Sequence, residues 1–329
     1  MNSRRKLVIA LGASVLASPF RSMAQSGKQR RIGILASGAR PASLDSENLG
    51  NFSRGMRELG YVEGRDYVTE WRFAEGNLEN FASMSAELVR LKVDVIVAAT
   101  ADGIGIALKA TNTIPIVMVA MADPVKAGFT TSLARPSRNA TGLSNQSMDT
   151  VSKHAELLRA AIPGLKSITI LGNPASLTMP IFVKLIQDSA NTLGIKVQVV
   201  GARSPVEIEA ALVGLTRART GALIVTPNAL MSAQAGKIIE LTRKNRLPTM
   251  FWTREHVESG ALMSYGQDNA EHYYRAAAYV DKMLKGAKPG DLPIELATKI
   301  ELVINLKTAK AIGLGIPRDL LVRAHKIVE

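Results

Sequence analysis

The chain has 329 residues, 47 % of them hydrophobic, with 41 Lys and Arg against 28 Asp and Glu, a formal net charge of +13 and no cysteine. The missing cysteine excludes disulfides and a cysteine-borne lipid anchor, so packing must hold the molecule together unaided. A length beyond what one core usually supports predicts two domains. The basic residues are scattered and aromatics make up only 5 %, a solvated surface rather than a nucleic-acid or membrane-binding stripe.

Residues 1–24 carry Arg4, Arg5, Lys6 and Arg21 and no acidic residue. The apolar run Leu7–Ala17 follows, and Ser22-Met23-Ala24 ends the segment in small residues at the cleavage positions. This is the pattern of a cleavable secretory signal; the apolar run is about half the roughly 20 residues that a membrane-spanning helix needs. The alternative is an ordinary buried first helix. The stretch Ser3–Val8 (SRRKLV) also fits a twin-arginine signal, so two export routes stay open. Without the leader 37 basic residues face 28 acidic ones, a charge of about +9. The expected location is the periplasm, as a free protein and not a lipoprotein.

The remaining chain alternates short β-rich runs with helical patterns. Arg31–Ala36 reads as a buried strand, and Leu49, Phe52, Met56 and Leu59 recur at helical spacing up to Gly60. Tyr67–Phe73 alternates like a strand. Leu78, Phe81, Met84, Leu88 and Leu91 mark a helix, Val93–Ala99 a central strand, Asp102–Asn112 a short helix and Ile116–Ala120 a strand. Pro136–Ser144 (PSRNATGLS) reads as a turn-rich pause. The alternation then restarts with helix Lys153–Ile162, strand Ser167–Leu171, helix Ile181–Leu193, strand Val197–Gly201, helix Val206–Arg217 and strand Ala222–Thr226. Helix Ala233–Asn245 and strand Thr249–Trp252 close this second series. Two doubly wound α/β lobes with parallel sheets follow, each offering the carboxyl ends of its strands to a shared cleft.

Candidate ligand contacts are the polar and aromatic residues at those strand ends. Thr100 precedes a helix start, where its hydroxyl and the free amides of the first turn suit a carboxylate; the competing reading is that Thr100 or Asp102 only caps the helix. Asp123, before Pro124, offers a carboxylate to a ligand ammonium, against an Asx-type turn. Ser37 follows the first strand. Asn173 and Asn228 follow two strands of the second series, in turns where asparagine is commonplace. Trp252 and Tyr265 lie where an aromatic ring can stack on a ligand, although Tyr265 also suits packing at a crossing between lobes. His154, His256, His272 and His325 are far apart and lack a metal spacing, so no metal or cofactor is expected. Gly103-x-Gly105 does not open a dinucleotide fingerprint, because Leu108 stands in place of the third glycine. The lack of a Gly-x-Ser-x-Gly elbow or a phosphate loop argues against an enzyme.

One resemblance covers essentially the whole mature chain. It is carried by Gly260-Ala-Leu-Met-Ser-Tyr-Gly266, Ala277–Gly286 (AAYVDKMLKG), Asp291-Leu-Pro293 and Thr298–Gly313 (TKIELVINLKTAKAIG). Glu58–Gly64 (ELGYVEG), Asp123-Pro-Val125, Ser132–Pro136 (SLARP) and Asn139–Gly142 (NATG) agree with it. The sequence resembles the bacterial ABC-transporter substrate-binding proteins, the group that includes tryptophan- and tyrosine-binding lipoproteins. The resemblance implies a type I periplasmic binding fold whose lobes are joined by three crossings, near Thr141–Ser144, Tyr265–Asp268 and Leu292–Thr298. The implied lobes are 30–141 with 267–293 and 142–266 with 294–329, after the signal peptide 1–24. It further implies capture of a small solute, an amino acid (an aromatic one included) or a related small organic acid, by a monomer that serves an inner-membrane permease and its separate ATPase. Service to a membrane signalling receptor is the alternative. Three departures stand out: the lipobox is absent, Ala297 replaces a proline common before the Thr-Lys pair, and Thr100–Gly105 is unusual for the group. The last leaves ligand identity open.

Overall fold

The structure, a computed structural model, describes residues 29–329 except 42, 45, 46, 146, 218, 219, 297 and 298. The expected signal peptide and the substituted position Ala297 lie outside the described residues.

The first sheet is built from β1 (Arg30–Ala36), β2 (Tyr67–Phe73), β3 (Val95–Ala98), β4 (Ile116–Ala122) and β5 (Ala140–Asn145). Between them run α1 (Glu47–Glu58), α2 (Leu78–Arg90) and α3 (Ala101–Ala110). Then come α4 (Ser147–Ser152), α5 (His154–Ala161), β6 (Ser167–Gly172), α6 (Met179–Thr192), β7 (Lys196–Gly201), α7 (Pro205–Arg217), β8 (Ala222–Val225), α8 (Ala229–Ala233), α9 (Ala235–Lys244) and β9 (Thr249–Phe251). The C-terminal part holds α10 (Arg254–Glu258), β10 (Met263–Gln267), α11 (Asn269–Leu284), β11 (Glu295–Leu296), β12 (Ile300–Asn305), α12 (Leu306–Ile312), α13 (Arg318–Arg323) and β13 (Lys326–Val328).

The two sheets repeat one plan. The first runs β11-β5-β4-β3-β1-β2 and the second β13-β12-β10-β9-β8-β6-β7. The first five strands of each series therefore share one order, which reverses direction between β1 and β3 and again between β6 and β8. Such a switch point leaves a crevice at the carboxyl ends of the strands, because the flanking helices depart to opposite faces. Both faces of both sheets are covered. Phe52 and Met56 of α1 pack with Tyr273, Ala276 and Val280 of α11 on one face of the first sheet, and Phe81, Leu88 and Ile104 from α2 and α3 cover the other. Phe182 and Ile186 of α6, and Ile208, Leu212 and Ile238 of α7 and α9, do the same for the second. Burying each such side chain contributes about 1.5–3 kcal/mol.

The chain passes between the sheets three times: after β5, between β10 and α11, and between β11 and β12. The sheets shift the expected lobe boundaries by a few residues. β5 stays in the first sheet to Asn145, Gln267 ends a strand of the second, and β11 returns to the first by pairing Glu295 with Leu143. β5 also corrects the reading of Pro136–Ser144 as turn throughout. Its residues lack hydrophobic alternation, and hydroxyl groups tie it in instead: Thr141 Oγ1 donates to Leu292 O at 2.6 Å and Ser144 Oγ to Met121 O at 3.1 Å. Gly142 adopts φ +131°, and a Cβ there would collide with the Met118 backbone. The expectation of parallel strands holds except at β12, which runs antiparallel to β10. The helix expected over Ala233–Asn245 is divided at Gln234 into α8 and α9.

Candidate functional site

Where the two switch points face each other, the structure forms a partly open cavity of about 310 Å³. That is at the lower end of the range for small-ligand pockets, about 300–1,000 Å³. Both lobes contribute: Ser37, Phe73 and Thr100 from the first, Phe182, Asn228 and Trp252 from the second, with Gln267 and Tyr273 from the middle crossing. The lobes touch across it. Asp102 Oδ1, on α3, accepts from the Leu177 amide of the second lobe at 3.1 Å. Gly76 lies so close to α8 that a Cβ would come within 2.9 Å of Leu230 Cα. Ala229 of α8 is buried in the first lobe's core cluster.

Of the seven candidate contacts, Ser37, Thr100, Asn228 and Trp252 line the cavity. Thr100, two residues beyond β3, has φ 64° and ψ 146°, a backbone region that costs a side-chain-bearing residue about 1–3 kcal/mol. Its Oγ1 accepts from Gly103 N at 3.3 Å, capping α3. The hydroxyl proton is left to donate into the cavity, so capping and ligand contact are compatible. Asn228 is engaged at both ends of its amide. Oδ1 caps α8 by accepting from Met231 N at 3.0 Å, and Nδ2 donates to Thr226 O at 3.3 Å. Trp252 packs against the His256 ring, centroids 4.4 Å apart, and against Phe251 at 5.7 Å. Trp252 sits where it does because Gly266 lets β10 approach; a Cβ there would collide with the Trp252 carbonyl oxygen.

Asp123, Asn173 and Tyr265 do not line the cavity. Asp123, at φ 32°, closes a turn: Oδ1 accepts from Lys126 N at 3.0 Å and Oδ2 pairs with Lys126 Nζ at 3.1 Å. Burial pulls its carboxyl up, but the Lys126 amide and ammonium outweigh this and hold it below the usual range. Asn173 is buried, with Oδ1 accepting from Ala175 N at 2.9 Å in an Asx-type turn. Tyr265 packs against the second lobe's core, and its side chain faces a smaller cavity beside Lys153 and Arg323. Its carbonyl accepts from His154 Nε2 at 2.9 Å.

Strand-end reasoning passed over several lining residues. Ser147 Oγ, Gln267 Nε2 and Glu255 Oε2 are buried side-chain atoms with no hydrogen-bond partner, and all three belong to cavity-lining residues. Buried polar atoms are rarely left unpaired, so three on residues that line one cavity make it the candidate site for a polar ligand. Glu255 was within reach of the same rule that singled out Trp252, since it follows β9 by four residues. Gln267 was hidden by lying at a lobe crossing. His256 is half-buried and neutral, desolvation pushing it down to about 4 against a hydrogen bond with Thr253 that raises it.

Residues 32–328 match the family described as ABC transporter substrate binding protein. The tyrosine-binding protein of Clostridioides difficile is 28 % identical over 91 % of this chain and 85 % of its own length. A conserved domain protein of Vibrio cholerae, 28 % identical, superposes with a TM-score of 0.82 over 91 % of this chain and all of its own. A Streptococcus pneumoniae ABC domain in complex with L-Trp, 26 % identical, gives 0.80 over 92 % of this chain and all of its own. Two parallel-sheet lobes of the type I periplasmic binding kind are thus shared over most of the chain, and the chain belongs to the ABC transporter substrate-binding proteins, which are solute binders and not enzymes.

Proposed function

We propose that this chain is the exported capture component of an ABC importer, taking up a free amino acid, aromatic ones foremost, in the cavity between its lobes. The observation that carries this reading is the pairing of residues with unsatisfied polar atoms (Ser147, Gln267 and Glu255) with Phe73, Phe182, Trp252 and Tyr273 around one cavity between the lobes. Polar ends of an amino acid satisfy the former, and a large side chain fills the aromatic part. The Thr100 hydroxyl is placed to donate to the ligand carboxylate. Ligand selects the closed arrangement, which the permease recognises, and a separate ATPase powers transport. The signal-like segment 1–24 supports periplasmic residence, with mature protein beginning near Gln25.

A thermal-shift screen of the standard amino acids, followed by calorimetry, tests the capture reading. Tyrosine or tryptophan is expected to raise the unfolding midpoint, since a ligand present at 100 times its Kd stabilises by about 2.7 kcal/mol. A flat response to every amino acid refutes it.

A further inference from the structure

The cavity has an electrostatic sign. Among the described residues that line it, Asp102 and Glu255 are the only acidic side chains, and the lining includes no lysine or arginine. Asp102 is committed: its carboxylate accepts from the Leu177 amide and from the Ser176 hydroxyl. Glu255 is not. Its Oε2 is buried without a partner, and burial raises its carboxyl, which its own amide, the Thr253 hydroxyl and Arg254 pull back only in part. Arg254 is itself held by Asp268 and Glu301. On the neighbouring strand end Gln267, 5 % exposed, leaves Nε2 equally unpaired. One orphan accepts and the other donates, yet they do not satisfy each other. A ligand that carries a cationic donor beside an acceptor satisfies both.

We infer that Glu255 selects ligands bearing a protonated amino group, with Gln267 taking the ligand's acceptor, so the cavity admits amino acids and amines and excludes the corresponding deaminated acids. This rests on the capture of an amino acid proposed above and narrows it. A carboxylate ligand without an ammonium group would bring a third carboxylate into a space lined by no lysine or arginine, and desolvated like charges repel strongly. An ammonium group instead turns the unpaired Glu255 oxygen into one end of an enclosed ion pair.

The test is calorimetry on wild type, Glu255→Gln and Glu255→Ala, with Asp123→Asn as an acidic control outside the cavity. The probes are tyrosine and tryptophan, their amines tyramine and tryptamine, and their deaminated acids hydroxyphenylpropionate and indolepropionate. Wild type should bind the amino acids at least about thirtyfold more tightly than the acids, and Glu255→Gln should lose most of that ratio, because breaking an enclosed charge pair costs that much or more. Both Glu255 variants should keep or raise the ligand-free unfolding midpoint at neutral pH, since they remove a buried charge; Asp123→Asn should keep the wild-type ratio. Equal binding of acids and amino acids by wild type overturns the selection and leaves the capture reading intact. Amines that bind while amino acids do not overturn the capture reading and leave the selection intact. An unchanged ratio in Glu255→Gln, or no binding by any amine or amino acid, overturns the role of Glu255.

Discussion

Thr100 shows how one position caps a helix and lines the cavity at once. A side-chain-bearing residue at φ 64° and ψ 146° stores strain, while its hydroxyl caps α3 and faces the cavity. Replacement by glycine releases the strain and costs only a few tenths of a kcal/mol in capping; replacement by alanine keeps the strain and loses the cap, about 1 kcal/mol. The expected order of ligand-free unfolding midpoints is therefore Thr100→Gly at or above wild type, with Thr100→Ala below it. Both variants should bind tyrosine or tryptophan more weakly, by about 1.5–3 kcal/mol if the hydroxyl meets the ligand carboxylate. Weakening in neither would remove Thr100 from the site. Asp123, by contrast, has the right residue type at a strand end and the wrong surroundings, because Lys126 three residues later takes both its oxygens.

At the scale of elements, histidines with lowered affinity for protons make the fold acid-sensitive. His154 of α5 donates from Nε2 to the Tyr265 carbonyl, and burial pushes it down to about 4. His256 and His272 are likewise lowered to about 4, mainly by burial. Each group binds fewer protons folded than unfolded between its folded value and the ordinary 6.5, so each withdraws stability as pH falls through that window. The unfolding midpoint should drop steadily from about pH 6.5 to about pH 4. His154→Gln, which keeps a donor for the Tyr265 carbonyl, should flatten that slope by roughly one proton. An unchanged slope would mean that another group carries it. Glu255 and Asp102 act in the opposite sense: burial raises both, so their burden is felt as pH rises through their folded values.

At the scale of the whole molecule, closure depends on close contacts between the lobes. Gly76, at φ 79°, lies against Ala229, Leu230 and Ala233 of α8 without lining the cavity. A larger side chain there acts as a wedge. Gly76→Val should weaken binding of tyrosine or tryptophan at least tenfold by depopulating the closed form, since apparent affinity scales with the competent fraction. Small-angle scattering should show wild type contracting on ligand addition and Gly76→Val contracting less. Full contraction with full affinity in the variant would show that these contacts do not govern closure. The cavity reports on the same event through Trp252, one of two tryptophans in the sequence.

Much of this was legible in the chain itself, because the elements of a doubly wound lobe write their own periodicity. β2 occupies the residues whose alternation marked it, and α1 ends before Gly60, as the apolar spacing of Leu49, Phe52 and Met56 requires. The repeated βα alternation also carried the two lobes, and strand ends carried Ser37, Thr100, Asn228 and Trp252 to the cavity. Tertiary structure alone decided the rest. β5 has no hydrophobic period and exists because β4 offers a backbone edge and Leu292 an acceptor for Thr141. Asp123, Asn173 and Tyr265 are spent on local turns and core packing. Gln267 and Glu255 stand out because the fold places each in the wall of the cavity with one polar atom unpaired. Periodicity reports what a residue does for its own element; whether a polar atom is satisfied depends on what the distant chain brings to it, and that is fixed only when the lobes pack.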